Sequence, residues 1–80
     1  MISKHEARQI SGVNVRRIRK LRGLTQMQLS QISGVDQATI SKLERFQVLL
    51  NSADLYNIAE ALDTTSDFLM RPSEKSLEPA

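Results

Sequence analysis

TQMQLSQISGVDQATISKLE, residues 25–44, reads as two short helices with a tight turn between them. Thr25 is a good N-cap, and Gln28 three residues later completes a capping box in which each side chain meets an amide that the helix leaves unpaired. Leu29 and Ile32 turn inward, and Ser33, Gly34 and Val35 then break the helix. Asp36 caps the next helix and sets its carboxylate against the positive end of the helix dipole. Ile40 and Leu43 have inward spacing, and the helix reaches Glu44 or Arg45. Its remaining residues, Gln37, Ala38, Thr39, Ser41 and Lys42, are short and mostly uncharged. A helix that only covered a core would more usually expose Glu and Lys, which are better helix formers than Thr or Ser.

Ser30 is small enough to let two helices cross closely, and Gly34 accepts a positive φ that other residues resist. Leu29, Val35, Ile40 and Leu43 lock the crossing angle. This is the arrangement that a helix-turn-helix requires.

Outward from this centre the chain is helical on both sides. Upstream, a helix is expected from about Gly12 to Arg22, with Val15, Ile18 and Leu21 as its apolar stripe and Gly23 as its stop. Downstream, FQVLLNS (46–52) forms a loop without charge, and Ser52 is expected to cap a fourth helix whose Leu55, Ile58, Ala59 and Leu62 follow the i, i+3, i+4, i+7 pattern. Thr65 caps a short fifth helix that delivers Phe68 and Leu69 to the core. Strand-like alternation is absent, so the fold class is all-α with five helices. Residues 1–11 are an N-terminal arm or a short helix opened by the possible capping box SKHE, residues 12–70 form the domain, and RPSEKSLEPA (71–80) is expected to be a disordered tail.

Eighty residues suffice for one small core. There is no cysteine, so neither disulfides nor thiolate metal sites are available. The longest apolar run, Val48–Leu50, is far short of the ~20 residues that span a membrane. Nor does the N-terminus carry the apolar stretch of a signal peptide, which points to the cytoplasm. Catalysis needs convergent acid, base or nucleophile groups. His5 is the only histidine and the carboxylates are scattered, so no enzyme, metal or other cofactor is expected.

The net charge of +2 hides an asymmetry. Residues 1–45 hold nine Lys or Arg against three acids, whereas residues 46–80 hold two against six. A positive half of this kind suits a polyanion.

VRRIRKLRGLTQMQLSQISGVDQATISKLER followed by LYNIAEALDTTSDFL resembles the lambda-repressor and Cro-like family of helix-turn-helix DNA-binding domains over about residues 13–70. The resemblance implies a compact five-helix domain whose third helix enters the DNA major groove. There Gln or Asn pairs with adenine, Lys or Arg with guanine, and small apolar groups meet the thymine methyl. Carried over by position, it implies base reading by Gln37, Ala38, Thr39, Ser41 and Lys42. Phosphate contacts are implied for Thr25, Gln26 and Arg45, with the basic cluster of the first helix adding salt-sensitive affinity. It also implies a buried ion pair between Arg19 and Glu44 that joins the first and third helices.

Three departures stand out. Phe46 occupies a position where the family usually has Gly, and Leu50 one where it often has Pro; Asp63 likewise replaces a glycine after the fourth helix. Phe46, Val48, Leu49 and Leu50 either tuck into the core or form an apolar patch that a protein partner covers. The expected function is a transcriptional regulator, a repressor acting as a homodimer on a near-palindromic double-stranded DNA operator. The alternative is an antitoxin-like interaction module that uses loop 46–50.

Overall fold

A computed structural model describes residues 1–72 and contains five α-helices and no strand among them. α1 spans Lys4–Leu21, α2 Gln26–Ser33, α3 Gln37–Glu44, α4 Ser52–Ala61 and α5 Ser66–Leu69. Of the tail expected at 71–80, residues 73–80 lie outside the described residues.

The centre of the chain folds as its capping signals imply. The Thr25 hydroxyl accepts from Gln28 N at 3.0 Å while the Gln28 side chain accepts from Thr25 N at 2.9 Å. Gly34 ends α2 at φ 77°, and Asp36 Oδ2 accepts from Ala38 N at 3.2 Å to open α3. Across the turn the Ser30 hydroxyl donates to the Val35 carbonyl at 2.6 Å. A small residue at position 30 therefore does more than leave room: its hydroxyl satisfies a carbonyl in the non-helical turn.

α1 begins earlier than its apolar stripe suggests. The Ser3 hydroxyl accepts from Glu6 N at 3.1 Å and Glu6 Oε1 accepts from Ser3 N at 3.4 Å, so the capping box opens one helix that runs unbroken through Gly12. Ile10 and Ser11 are buried along it, which places the expected boundary at 11/12 inside a packed helix.

Val15, Ile18, Leu29, Val35, Ile40, Leu43, Ile58, Ala59, Leu62 and Leu69 form one core, with α1 against α3 and α5, and α4 against α2 and α5. Three expected core residues are outside it. Leu21 is 77% exposed, because α5 meets α1 at Asn14, two turns earlier, and does not extend over Leu21. Ile32 is 59% exposed, and Val35 beyond the turn fills the core instead. Phe68 stays at the surface, 5.9 Å beneath the Arg71 guanidinium, while its neighbour Leu69 is buried. The cap of α4 also moves by one residue: Asn51 Oδ1 accepts from Asp54 N at 2.8 Å, and Ser52 is the first helical residue.

Polar ties hold the helix ends together. Asn14 Nδ2 donates to the carbonyls of Leu69 at 2.8 Å and Arg71 at 3.0 Å, fastening α5 to α1. Arg22 Nε donates to the Leu62 carbonyl at 3.0 Å, so a cation sits at the negative end of the α4 dipole. Asp63 just beyond takes φ 58°, the left-handed conformation that the missing glycine would adopt without strain.

Candidate nucleic-acid interface

α1, α2 and α3 meet at Glu44. Its carboxylate accepts from Arg19 Nε at 2.7 Å and from Arg19 Nη2 at 2.9 Å, forming a two-pronged pair across the α1–α3 seam. Arg19 Nη1 reaches the Leu24 carbonyl at 2.8 Å, and Gln26 Nε2 from the first turn of α2 donates to Glu44 Oε1 at 3.3 Å. Both charged side chains are buried, with relative exposures of 11% and 4%. The hydrogen bond to Glu44 is the largest influence on Arg19 and raises its pKa, burial opposes it, and the negative charge of Glu44 adds to the rise. The charged form of Arg19 therefore persists far above neutral pH.

Gly12 brings the same seam close. A Cβ there would fall against the Leu43 carbonyl oxygen and 2.7 Å from Phe46 Cδ1. Phe46 takes φ 64° to turn the chain out of α3, and its ring lies over Gly12. The two positions complement one another: the glycine absent from the end of α3 is matched by a glycine in α1 that makes room for the ring.

With its inner face committed to this seam and to the core, α3 presents Gln37, Ala38 and Lys42 as exposed residues and Thr39 and Ser41 as half-buried ones. None of these five side chains donates to or accepts from another described group, in contrast to Glu44 on the same helix. Arg45 is exposed, its Nε donating to the Ser41 carbonyl at 3.3 Å. At the start of α2 the Thr25 oxygen is occupied as a cap, which leaves its hydroxyl proton available. Gln26 has committed one amide hydrogen to Glu44 and keeps the other.

The loop after α3 is mostly drawn inward. Val48 and Leu50 pack against the core and Phe46 covers Gly12, leaving Leu49 39% exposed. Four features escaped the sequence reading: the bond from Gln26 to Glu44, the bond from Arg22 to the end of α4, the Asn14 clasp, and the Gly12–Phe46 contact. An asparagine within an apolar stripe and a glycine within a helix were the visible signals for the last two.

Two short capped helices fixed at a glycine turn, the second showing an unbonded polar face, define a helix-turn-helix protein of the DNA-binding, transcription-regulator class. Residues 15–69 match the Helix-turn-helix family, and the chain belongs to it. An uncharacterized HTH-type transcriptional regulator, y4dJ, from Sinorhizobium fredii (strain NBRC 101917 / NGR234) is 32% identical over 71 residues, 89% of this chain and 92% of that protein. Among solved structures, the restriction-modification controller protein C.AhdI from Aeromonas hydrophila is similar with a TM-score of 0.74 at 29% identity, covering 78% of this chain and 94% of that one. An HTH_3 family transcriptional regulator from Vibrio cholerae shares the fold with a TM-score of 0.79 at 24% identity over 84% of this chain, which spans 38% of the Vibrio chain. Among the described residues no helix is long and apolar enough to cross a membrane.

Proposed function

We propose that the protein is a sequence-specific transcriptional repressor that binds a near-palindromic operator as a homodimer. Two copies of α3 enter successive major grooves, one DNA turn or about 34 Å apart. The observation that carries this reading is the outer face of α3, where Gln37, Ala38 and Lys42 are exposed on a helix whose other face is buried, with side chains that bond to no other described residue. These side chains match the donor and acceptor needs of base edges: a glutamine for adenine, a lysine for guanine, and a small methyl for thymine. Thr39 and Ser41 line the sides of the same surface. Thr25 and Gln26 at the amide-rich start of α2, together with Arg45, hold phosphates and set the register of the helix in the groove.

The likeness to proteins described as a transcriptional regulator and as a restriction-modification controller supports a regulatory role. An antitoxin-like use of loop 46–50 has less support, since three of its four large apolar residues are turned inward.

Selection from randomised duplex DNA, followed by titration of the recovered duplex at two salt concentrations, tests the reading. A two-fold symmetric motif with half-sites about one turn apart is the expected result. Recovery of no motif, with only weak and salt-sensitive binding, rejects it.

A further inference from the structure

The basic residues from Arg16 to Arg22 are put to two uses. Arg19 and Arg22 tie the fold together, through Glu44 and the Leu24 carbonyl in one case and the Leu62 carbonyl in the other. Arg16, Arg17 and Lys20 instead line a cleft of about 290 Å³ whose other walls are Gly12, Val13, Glu44 and Phe46. Among the described residues these three cations have no carboxylate or hydrogen-bond partner. Glu44, the acid in the wall, is buried and its charge is balanced by Arg19, so the three cations are left as the net charge of the cleft. Repulsion among them works against the compact state and is relieved by an anion.

We propose that this cleft is a binding site for a small organic oxyanion, a carboxylate or phosphate ester carried on an apolar body the size of one ring. Three features define the ligand. The first is the apolar lining: Val13 and Phe46 are half-buried there, and Gly12 adds no side chain beside them. Among the described residues the one cation stacked on a ring is Arg71 over Phe68, so the Phe46 ring is open to a second ring in offset or edge contact. The second is size. Ligand pockets run from about 300 to 1,000 Å³ and combine an apolar lining with a few polar groups, so a cleft at the small end takes one ring and one head group. The third is the charge: the planar forks of two arginines match a carboxylate or phosphate through paired hydrogen bonds, and a lysine adds a point charge. A flat basic strip would pair with an anion alone, whereas a cleft with apolar and cationic walls also encloses what the anion is attached to. The site lies within a single chain and does not depend on what α3 reads.

The test is a titration of the full chain, isotope-labelled for amide NMR, with phenyl phosphate, benzoate and inorganic phosphate. With an organic probe, the amides of Gly12, Val13 and Phe46 are expected to shift together and to reach half-saturation at about 1 mM or below, a range open to ligands of this size. Saturation by either organic probe supports the assignment, and the tighter of the two names the head group. Inorganic phosphate has the charge without the ring and is expected to bind at least ~10-fold more weakly, the factor that burial of one apolar ring supplies. The triple variant Arg16→Gln, Arg17→Gln, Lys20→Gln is expected to bind the organic probes at least ~10-fold more weakly, because charge-assisted hydrogen bonds are lost, and to keep or raise the melting temperature. Lys4→Gln, on the same helix but outside the cleft, should leave affinity unchanged. Phe46→Leu keeps the cations and should narrow the difference between phenyl phosphate and inorganic phosphate.

Absence of saturable shifts at these amides with both organic probes up to about 10 mM, tenfold beyond the expected range, overturns the proposal. Equal affinity of the wild type for phenyl phosphate and inorganic phosphate also overturns it, since the cleft would then hold an anion and no apolar body. A triple variant that folds and keeps the wild-type affinity places the ligand elsewhere, with the same consequence. Duplex DNA is the macromolecular alternative: if the Gly12, Val13 and Phe46 amides respond to duplex and to neither organic probe, nucleic acid fills the cleft and the proposal fails.

Discussion

The seam between α1 and α3 and the outer face of α3 lie back to back on one eight-residue helix, and they use their polar groups in opposite ways. In the seam the two buried charges are matched: Arg19 by Glu44 and Leu24, and Glu44 by Arg19 and Gln26. On the outer face the side chains of Gln37, Thr39, Ser41 and Lys42 bond to no other described residue. The difference separates two roles that composition alone does not distinguish. A buried charge must be neutralised by its surroundings or the fold fails, whereas an exposed amide or ammonium is solvated at no cost and stays available to a ligand.

The comparison breaks most visibly in the seam. Arg19→Ala or Glu44→Ala leaves a buried charge unpaired and is expected to lower stability by about 3 to 5 kcal/mol in urea denaturation. Replacing both by Met and Leu should cost far less, because no orphan charge remains. The contribution has a defined pH window. Arg19 is held above its ordinary value, so its share is fully present at neutral pH and is lost only as pH rises through that raised value. Unfolding curves between pH 6 and 9 should therefore show no loss attributable to Arg19, and a marked loss there would contradict the pairing.

Next in size is Gly12→Ala. Its added methyl meets the Leu43 carbonyl and the Phe46 ring, and overpacking of this kind costs about 1 to 3 kcal/mol. Alanine's better helix propensity offsets up to ~1 kcal/mol of that. A variant more stable than wild type in thermal unfolding would show that Phe46 is not held over position 12.

Gln37→Ala sharpens the comparison from the opposite side. Its expected effect on stability is within about 0.5 kcal/mol, as for other surface substitutions. On selected duplex it should lose about 1 to 3 kcal/mol at a single base pair and relax the preference there. An equal loss on every sequence would reassign Gln37 to a phosphate. The smallest change expected is at Asp63, where glycine removes the strain of a left-handed residue, worth up to ~1 to 2 kcal/mol for L-residues in general and less for Asp. Asp63→Gly should raise the melting temperature slightly and leave DNA affinity unchanged.

The parts of this molecule that could be read from the chain are those with local physics. Thr25 and Gln28, Asp36, Thr65 and the turn at Gly34 act within a few residues of themselves, so their spacing already stated what they would do. Ser3 and Glu6 belong to the same class, and the helix they open proved continuous because nothing between Lys4 and Leu21 stops it. The Arg19–Glu44 pair spans 25 residues, and no local rule reaches so far; resemblance to a family with the same pair supplied it. Leu21, Ile32 and Phe68 were misjudged for the converse reason. Their hydrophobicity and spacing said that each belongs to an apolar face without saying whether another helix extends far enough to cover it.

Taken alone, then, the sequence determined five helices, the caps of all but α4, a helix-turn-helix at residues 25–44 and a basic first half, because capping, turn chemistry and charge reside in neighbouring residues. Tertiary structure decided which of the first half's cations are internal ties and which have no partner among the described residues, and whether Phe46 projects outward or lies over Gly12. Those outcomes depend on the distance between groups far apart in the chain, and only the packing of α1 against α3 and α5 sets that distance.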